Sequence, residues 1–352
     1  MSLTPLTASL AIEQLDQFDA VIDARSEDEY GEDHLPGAIN WPTLNNAERI
    51  DIGTLYKQVN PFEARKRGAA IAARNIATHI EREVIDKPKD WKPLTYCWRG
   101  GQRSGSLSLI LSQIGFWVTI IEGGYKAFRA AIVQDTLQRV GQLTFQVVCG
   151  PTGNGKTRLL QALLACGAQV LDLENLARHR SSVLGAVPGQ KQPTQKRFDT
   201  LIWNQLRQFD PARPVFVESE SKKVGNLAVP LALIDAMRAS TCLNLVLPDE
   251  ERVALLMEDY AHLIHDVPYF CGRLSALIAL RGRAVVETWQ AQAQAGEFAP
   301  VVLDLLRKHY DPAYLQSMQR NFKRFDSAME LRPADRTPAS MAQIAQQVVS
   351  AL

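Results

Sequence analysis

Residues 94–124 read LTYCWRGGQRSGSLSLILSQIGFWVTIIEGG. An apolar run ends at Cys97 and is followed by a Gly-rich loop. An apolar-periodic stretch then stops at Gly115, and a second apolar run begins at Trp117. Strand, loop, helix and strand in this order make the repeating unit of a parallel α/β sheet. Moving toward the N-terminus, AVID (20–23) predicts another strand, RSEDEYGEDH (25–34) a helix-compatible acidic segment, and LPGAIN (35–40) a break. A long helix is expected from about Asn60 to Asp86, carrying Arg65, Lys66, Arg67 and Arg74. Residues 125–142 predict a helix that leads out of this first layer.

A second α/β pattern begins with LTFQVVC (143–149), the turn GPTGNGKT (150–157) and the helix RLLQALLAC (158–166). Further strands are expected at AQVLDLE (168–174), PVFVES (214–219) and CLNLVLP (242–248), with a helix around Phe198 to Phe209. From Glu250 onward apolar positions fall at helical spacing without a convincing strand. The expected organisation is therefore residues 1–130 as one α/β domain, 131–142 as a connecting helix, 143–249 as a P-loop α/β domain and 250–352 as a helical subdomain.

Bulk composition agrees with a multidomain, ordered chain: 352 residues, 46% apolar and 22% charged, with a formal net charge of +1. Any nucleic-acid surface must then come from local clusters of Lys and Arg. The five cysteines lack paired spacing and no His/Cys cluster offers a zinc site, so a reduced, cytoplasmic setting is expected, with no structural metal. No run approaches the apolar length of a membrane span.

Cys97 ends a strand just before a helix, beside Arg99 and Arg103 and among backbone N–H groups freed by Gly100 and Gly101. Such an electropositive nest favours a thiolate nucleophile and equally binds an oxyanion. In the second half, GPTGNGKT satisfies GxxxxGK[ST] between a strand and a helix. Gly150, Gly153 and Gly155 let N–H groups approach phosphate oxygens, Lys156 adds a point charge, and Thr157 offers a hydroxyl to phosphate or Mg²⁺. The motif does not choose between a nucleotide and another diphosphate. Asp172, Glu218 and Glu220 stand at strand ends and stay unassigned, either helix caps or positions for Mg²⁺ or water. Arg178 and Arg180, just past the LDLEN strand end, are the candidate RNA contacts. Other basic clusters lie at 191–197, 222–223, 281–283 and 323–324. Trp203, Tyr269 and Tyr310 are core or base-stacking candidates.

Three segments in order, IDARSEDEYGEDHLPGAIN (22–40), CWRGGQRS (97–104) and GFWVTIIEGGYKAF (115–128), resemble the rhodanese family. That resemblance implies a persulfide or perselenide carrier at Cys97 and a loop arginine at Arg103, with Asp23 and Arg25 as an internal ion pair. The spacing Cys-x5-Arg is one residue longer than the usual rhodanese Cys-x4-Arg and resembles dual-specificity phosphatases, which leaves a phosphatase reading open. Adding GPTGNGKT, LDLENLARHR, VFVESESKKVG and HYDPAY, the whole chain resembles the family of bacterial tRNA 2-selenouridine synthases. This implies exchange of sulfur for selenium in wobble 2-thiouridine of tRNA, with selenophosphate as donor. It also implies prior geranylation of the 2-thio group from geranyl diphosphate. These are co-substrates, and no tightly bound cofactor is implied. The rival expectations are an ATP-dependent tRNA sulfurtransferase or RNA kinase, and a degenerate rhodanese serving only as a docking module.

Overall fold

The computed structural model describes residues 2–180, 189–261 and 265–351. They divide into two compact units. One comprises Met1–Arg139 with Pro193–Arg207, the other Val140–Gln192 with Gln208–Leu352. The stretch 143–249, expected as one domain, is thus interrupted by a segment that groups with the first unit. The first unit is a parallel-sheet α/β domain, and the second is a P-loop α/β domain with a helical C-terminal region.

The first unit has strands β1 (Ser2–Leu6), β2 (Ala20–Asp23), β3 (Ala38–Asn40), β4 (Pro93–Tyr96) and β5 (Trp117–Ile121). All pair in parallel in the order β1-β5-β4-β2-β3. Its helices are α1 (Ala8–Glu13), α2 (Glu27–Glu32), α3 (Asn46–Gln58), α4 (Pro61–Glu83), α5 (Gln102–Ile114) and α6 (Gly124–Gln142). Local chemistry sets their ends. Ser26 and Glu29 form a capping box on α2, Asn60 caps α4 with Pro61 in its first turn, and Gly115 closes α5 in the left-handed region. Asp23 and Arg25 form a fully buried ion pair of 2.7 Å at the end of β2. Tyr96 donates to Asp23 at 2.8 Å, and the guanidinium lies 3.9 Å from the Tyr125 ring centre.

Helix α9 (Gln195–Leu206) belongs to this unit although it lies in the sequence after the P-loop. The apolar stripe of Phe198, Ile202, Trp203 and Leu206 is buried, and Trp203 meets Phe128 edge to face. Buried Asp33 fastens it, accepting hydrogen bonds from Thr200 at 2.9 Å and from Tyr125 at 2.8 Å. Trp203 is therefore core, and its indole donates to Asp135.

The second unit places β6 (Phe145–Cys149) at the centre of a parallel sheet with β7 (Gln169–Leu171), β8 (Val215–Glu218), β11 (Thr241–Leu245) and β12 (Met329–Leu331). The order is β12-β11-β6-β8-β7. Helix α7 (Lys156–Ala165), short α8 (Leu173–Ala177) and α10 (Leu231–Ala239) connect these strands, and β9 (Lys223–Val224) and β10 (Leu227–Ala228) make a small antiparallel pair. Helix α11 (Asp249–Asp259) opens the helical region. That region is not helical throughout. Strand β12 pairs in parallel with β11, and the terminal helix Pro338–Ser350 buries Met341, Ile344, Ala345 and Val348 in the same core as Leu159 and Leu163 of α7. β12 has three residues, two of them exposed, too short for a period-2 signal. Among the described residues no helix is long and apolar enough to cross a membrane.

Candidate functional site

Each unit carries a loop between a central parallel strand and a helix N-terminus, where an open α/β sheet presents reactive groups. In the first unit β4 delivers Cys97, which is buried. Ser104, in the first turn of α5, donates its hydroxyl to Cys97 Sγ at 3.1 Å. The loop is held from behind. The carbonyl of Cys97 accepts from Tyr125 N–H at 2.8 Å and that of Trp98 from Lys126 N–H at 3.1 Å. This approach requires glycine at 124, where φ is +55° and a Cβ would lie 2.2 Å from the Cys97 carbonyl oxygen. The first N–H groups of α5 have no acceptor within the helix, so they are available to an anion beside the sulfur.

The two loop arginines part company. Arg99 is exposed, while Arg103 reaches across to Glu29 of α2, with contacts of 2.6 and 3.3 Å. Burial works against the Glu29 charge, but Arg103, with Arg49, outweighs it and holds that carboxyl below its ordinary value. In this geometry Arg103 braces α5 against α2, and the side chain that touches the sulfur is Ser104, which sequence reasoning passed over. Its signal was available in the motif: the last letter of CWRGGQRS is the third residue of α5, in the first turn that faces the cysteine.

In the second unit β6 ends at Cys149 and the chain turns through Gly150 to Gly155 into α7. Gly150 has φ +146°, and a Cβ there would lie 2.6 Å from the Leu245 carbonyl oxygen, so the loop packs tightly on β11. Lys156, with 14% of its side chain exposed, lies 3.3 Å from Glu218. Thr157 donates to the same carboxylate at 3.4 Å. Burial disfavours the Lys156 charge, yet Glu218 foremost raises its pKa to about 12. Burial, with Glu174 and Asp172 nearby, pushes Glu218 to about 7 in spite of Lys156.

Carboxylate oxygens of Glu174, Glu218 and Glu220 lie within 4.8 Å of one another. Crowded carboxylate oxygens beside a Thr hydroxyl are a donor set suited to Mg²⁺, which would relieve their mutual repulsion. Asp172 is instead the N-cap of α8, accepting from Asn175 N–H at 2.9 Å.

The HYDPAY segment (309–314) closes over the P-loop. Tyr314 accepts from Gly150 N–H at 2.6 Å, and its ring centre is 5.9 Å from Lys156 Nζ. Asp311 pairs with Arg252 at 2.6 Å, and Arg252 in turn donates to the Thr152 carbonyl at 2.8 Å. Both sides of the loop are thus braced from the helical region, across 100 and 164 residues of sequence.

The loop faces a cavity of ≈ 1190 Å³. Lys156, Arg178, Arg180, Lys222 and Lys223 contribute positive charge to its lining. Leu255, Leu256, Tyr260, Tyr310, Met318 and Phe322 add apolar lining, and Asp172, Glu174, Glu218, Glu220 and Asp259 add acidic lining. Arg178, at φ +50°, ends α8, and Arg180 donates to the Asp259 carbonyl with its guanidinium 5.1 Å from the Tyr260 ring centre. The cluster 191–197 is partly engaged elsewhere, Lys196 with Glu32 and Arg197 with the His34 carbonyl. Tyr269 is exposed, and Tyr310 lines the cavity.

Two family models match the sequence: the rhodanese-like domain over residues 7–131 and the tRNA 2-selenouridine synthase AAA domain over residues 143–269. A tRNA 2-selenouridine synthase from Aeromonas salmonicida (strain A449) is 29% identical over 348 residues, covering 90% of this chain and 92% of that protein. Another of that name, from Sulfurovum sp. (strain NBC37-1), is 32% identical over 249 residues, 70% of this chain and 67% of that protein. Among solved structures, a rhodanese-related protein from Thermoplasma volcanium aligns with 36% of this chain and 89% of its own at 18% identity, with a TM-score of 0.24.

Proposed function

The chain belongs to the tRNA 2-selenouridine synthase family, and from that premise we propose that it exchanges sulfur for selenium in the wobble 2-thiouridine of a tRNA. Selenophosphate is the selenium donor, and a geranylated thiouridine made from geranyl diphosphate is the intermediate. The observation that carries this reading is the P-loop cavity, whose lining combines the phosphate-binding loop and basic side chains with apolar ones. That combination suits a diphosphate carrying a hydrocarbon chain.

In the first step the thiouridine sulfur attacks C1 of the geranyl group, the C–S bond forms, and the C–O bond to diphosphate breaks. Lys156 and the P-loop N–H groups hold the departing diphosphate, with Arg178 and Arg180 placed to assist it or the RNA. The base loses its N3 proton. Alkylation turns a poor leaving group into a displaceable thioether. In the second step the selenium of selenophosphate bonds to C2 of the base, the C–S bond breaks, and geranyl thiolate leaves and takes a proton from water. Loss of the phosphoryl group from selenium and return of a proton to N3 then give 2-selenouridine. Cys97 is the nucleophile that frees the selenium, in a cradle where Ser104 and the α5 N-terminus stabilise negative charge. Its thiolate attacks the phosphorus, the S–P bond forms and the P–Se bond breaks, and water then hydrolyses the thiophosphate to inorganic phosphate. Arg99 stands at the exposed rim to receive the anionic donor, and Arg103 positions the loop through Glu29. A reducing cytoplasm keeps the five free cysteines as thiols.

If Mg²⁺ binds, Glu174, Glu218, Glu220 and Thr157 would hold it, and it would neutralise the diphosphate. The same acidic cluster favours the second reading, a nucleotide in the P-loop driving sulfur transfer or RNA phosphorylation. Turnover of ATP stimulated by tRNA would establish that alternative. Mass spectrometry of wobble nucleosides from a strain lacking the protein tests the main reading. Loss of 2-selenouridine with 2-thiouridine retained is expected, and unchanged 2-selenouridine would refute it.

A further inference from the structure

Helices α3 and α4 form an arm between β3 and β4 whose construction differs from the rest of the first unit. Helix α3 buries none of its 13 residues and α4 buries only Ala64 and Ile76 of its 23. The base of the arm is firmly rooted. Asn75 donates to the Thr43 carbonyl at 3.2 Å and to Glu48 at 2.8 Å, and Glu48 completes the α3 capping box. His79 contacts the Pro42 carbonyl at 3.1 Å and stacks on Trp41.

The tip is unsupported by comparison. Residues 56–62 are exposed throughout, including Tyr56, Val59 and Phe62, the last two at 73% and 61%. Beyond the tip α4 presents Arg65, Arg67 and Arg74 to solvent. Across residues 57–74 the positive side chains are Lys57, Arg65, Lys66, Arg67 and Arg74, and the one acid is Glu63. Arg67 and Arg74 are seven residues apart and share a helix face, and the exposed positions between them include only small side chains at Ala69, Ala70 and Ala73. A phosphate backbone can therefore lie close along that face.

We infer that this arm is a tRNA-binding element of the first unit: the basic face of α4 tracks the phosphate backbone, and Tyr56 and Phe62 stack on unpaired bases. Aromatic platforms interleaved with arginines recognise single-stranded loops rather than regular duplex, and an anticodon loop is such a target. An apolar protein partner is disfavoured by a local charge of four net positives on so small a surface. The inference rests on the family reading that tRNA is the substrate.

The experiment measures binding of a tRNA with wobble 2-thiouridine to the full chain, to Arg67→Ala/Arg74→Ala, and to Tyr56→Ala/Phe62→Ala, at several salt concentrations. For the arginine variant the affinity should fall at least about tenfold and the slope of log K against log salt should drop by about 1.4 to 1.8, as expected for two lost phosphate contacts. The aromatic pair should weaken binding with the salt slope unchanged. With both variants the KM for tRNA rises while kcat at saturating tRNA stays at the parent value. Parent binding with unchanged affinity and slope in both variants would overturn the inference and leave the arm to another partner. A parent chain that does not bind tRNA at all would instead overturn the family reading. Far-UV circular dichroism checks the fold, which these exposed positions do not support.

Discussion

The two loops share a backbone plan and differ in what surrounds them. Both follow a central parallel strand, both use glycines where another backbone comes too close for a Cβ, and both end at a helix N-terminus. At the cysteine loop the focal group is a sulfur supported by one hydroxyl, and the nearby arginine is drawn off to Glu29. At the P-loop the focal group is a cation surrounded by acids and closed over by Tyr314. In the proposed function one cradle offers a nucleophile, and the other offers an anion clamp whose Lys156 must be released from Glu218 before it can grip. On the proposed reading the same local geometry serves two different half-reactions, and the residues packed around it decide which.

Lys156→Ala should break the second loop most severely. Geranyl transfer is expected to fall by about 10- to 150-fold, from a charge-assisted contact worth about 1.5 to 3 kcal/mol. Use of pre-geranylated tRNA should be spared, and chromatography of digested tRNA reads both. Gly124→Ala should break the first loop structurally, since the new Cβ meets the Cys97 carbonyl. A loss of about 3 kcal/mol is expected for a strained, overpacked position, measured by denaturant unfolding followed at the first unit.

The Glu218 carboxyl sharpens the contrast through pH. Below about 7 it is protonated in the folded chain, so Lys156 loses its competing partner and an incoming diphosphate is held more tightly. Above that, the anion both claims Lys156 and repels phosphate. Without divalent cations, Glu218→Gln and the parent chain should bind inorganic diphosphate alike near pH 6. The variant should bind several-fold more tightly near pH 8. Equal affinities at both pH values would show that Glu218 does not govern the clamp. Ser104→Ala should slow alkylation of Cys97 several-fold, with buried Cys149 slow in both proteins. The smallest effect is expected for Arg178→Ala/Arg180→Ala, a few-fold loss of tRNA affinity with a shallower salt slope in filter-binding titrations.

Both loops were legible in the sequence because each is a contiguous motif between a strand and a helix. What surrounds them was not. Glu29 reaches Arg103 across 74 positions, and Tyr314 reaches Gly150 across 164. No local periodicity encodes such a pairing. The helical character of residues 195–206 was readable from its apolar stripe, but its grouping with the first unit depends on Asp33, whose partners lie 92 and 167 residues away. β1 escaped notice because its five residues SLTPL alternate weakly and include a proline, tolerable there because β1 is an edge strand.

The most direct test of the division between the loops is Cys97→Ala assayed on each half-reaction. The account predicts that this variant, with its fold intact, transfers geranyl from geranyl diphosphate to 2-thiouridine tRNA at the parent rate and forms no 2-selenouridine from the geranylated product. Loss of both steps in the folded variant would contradict it.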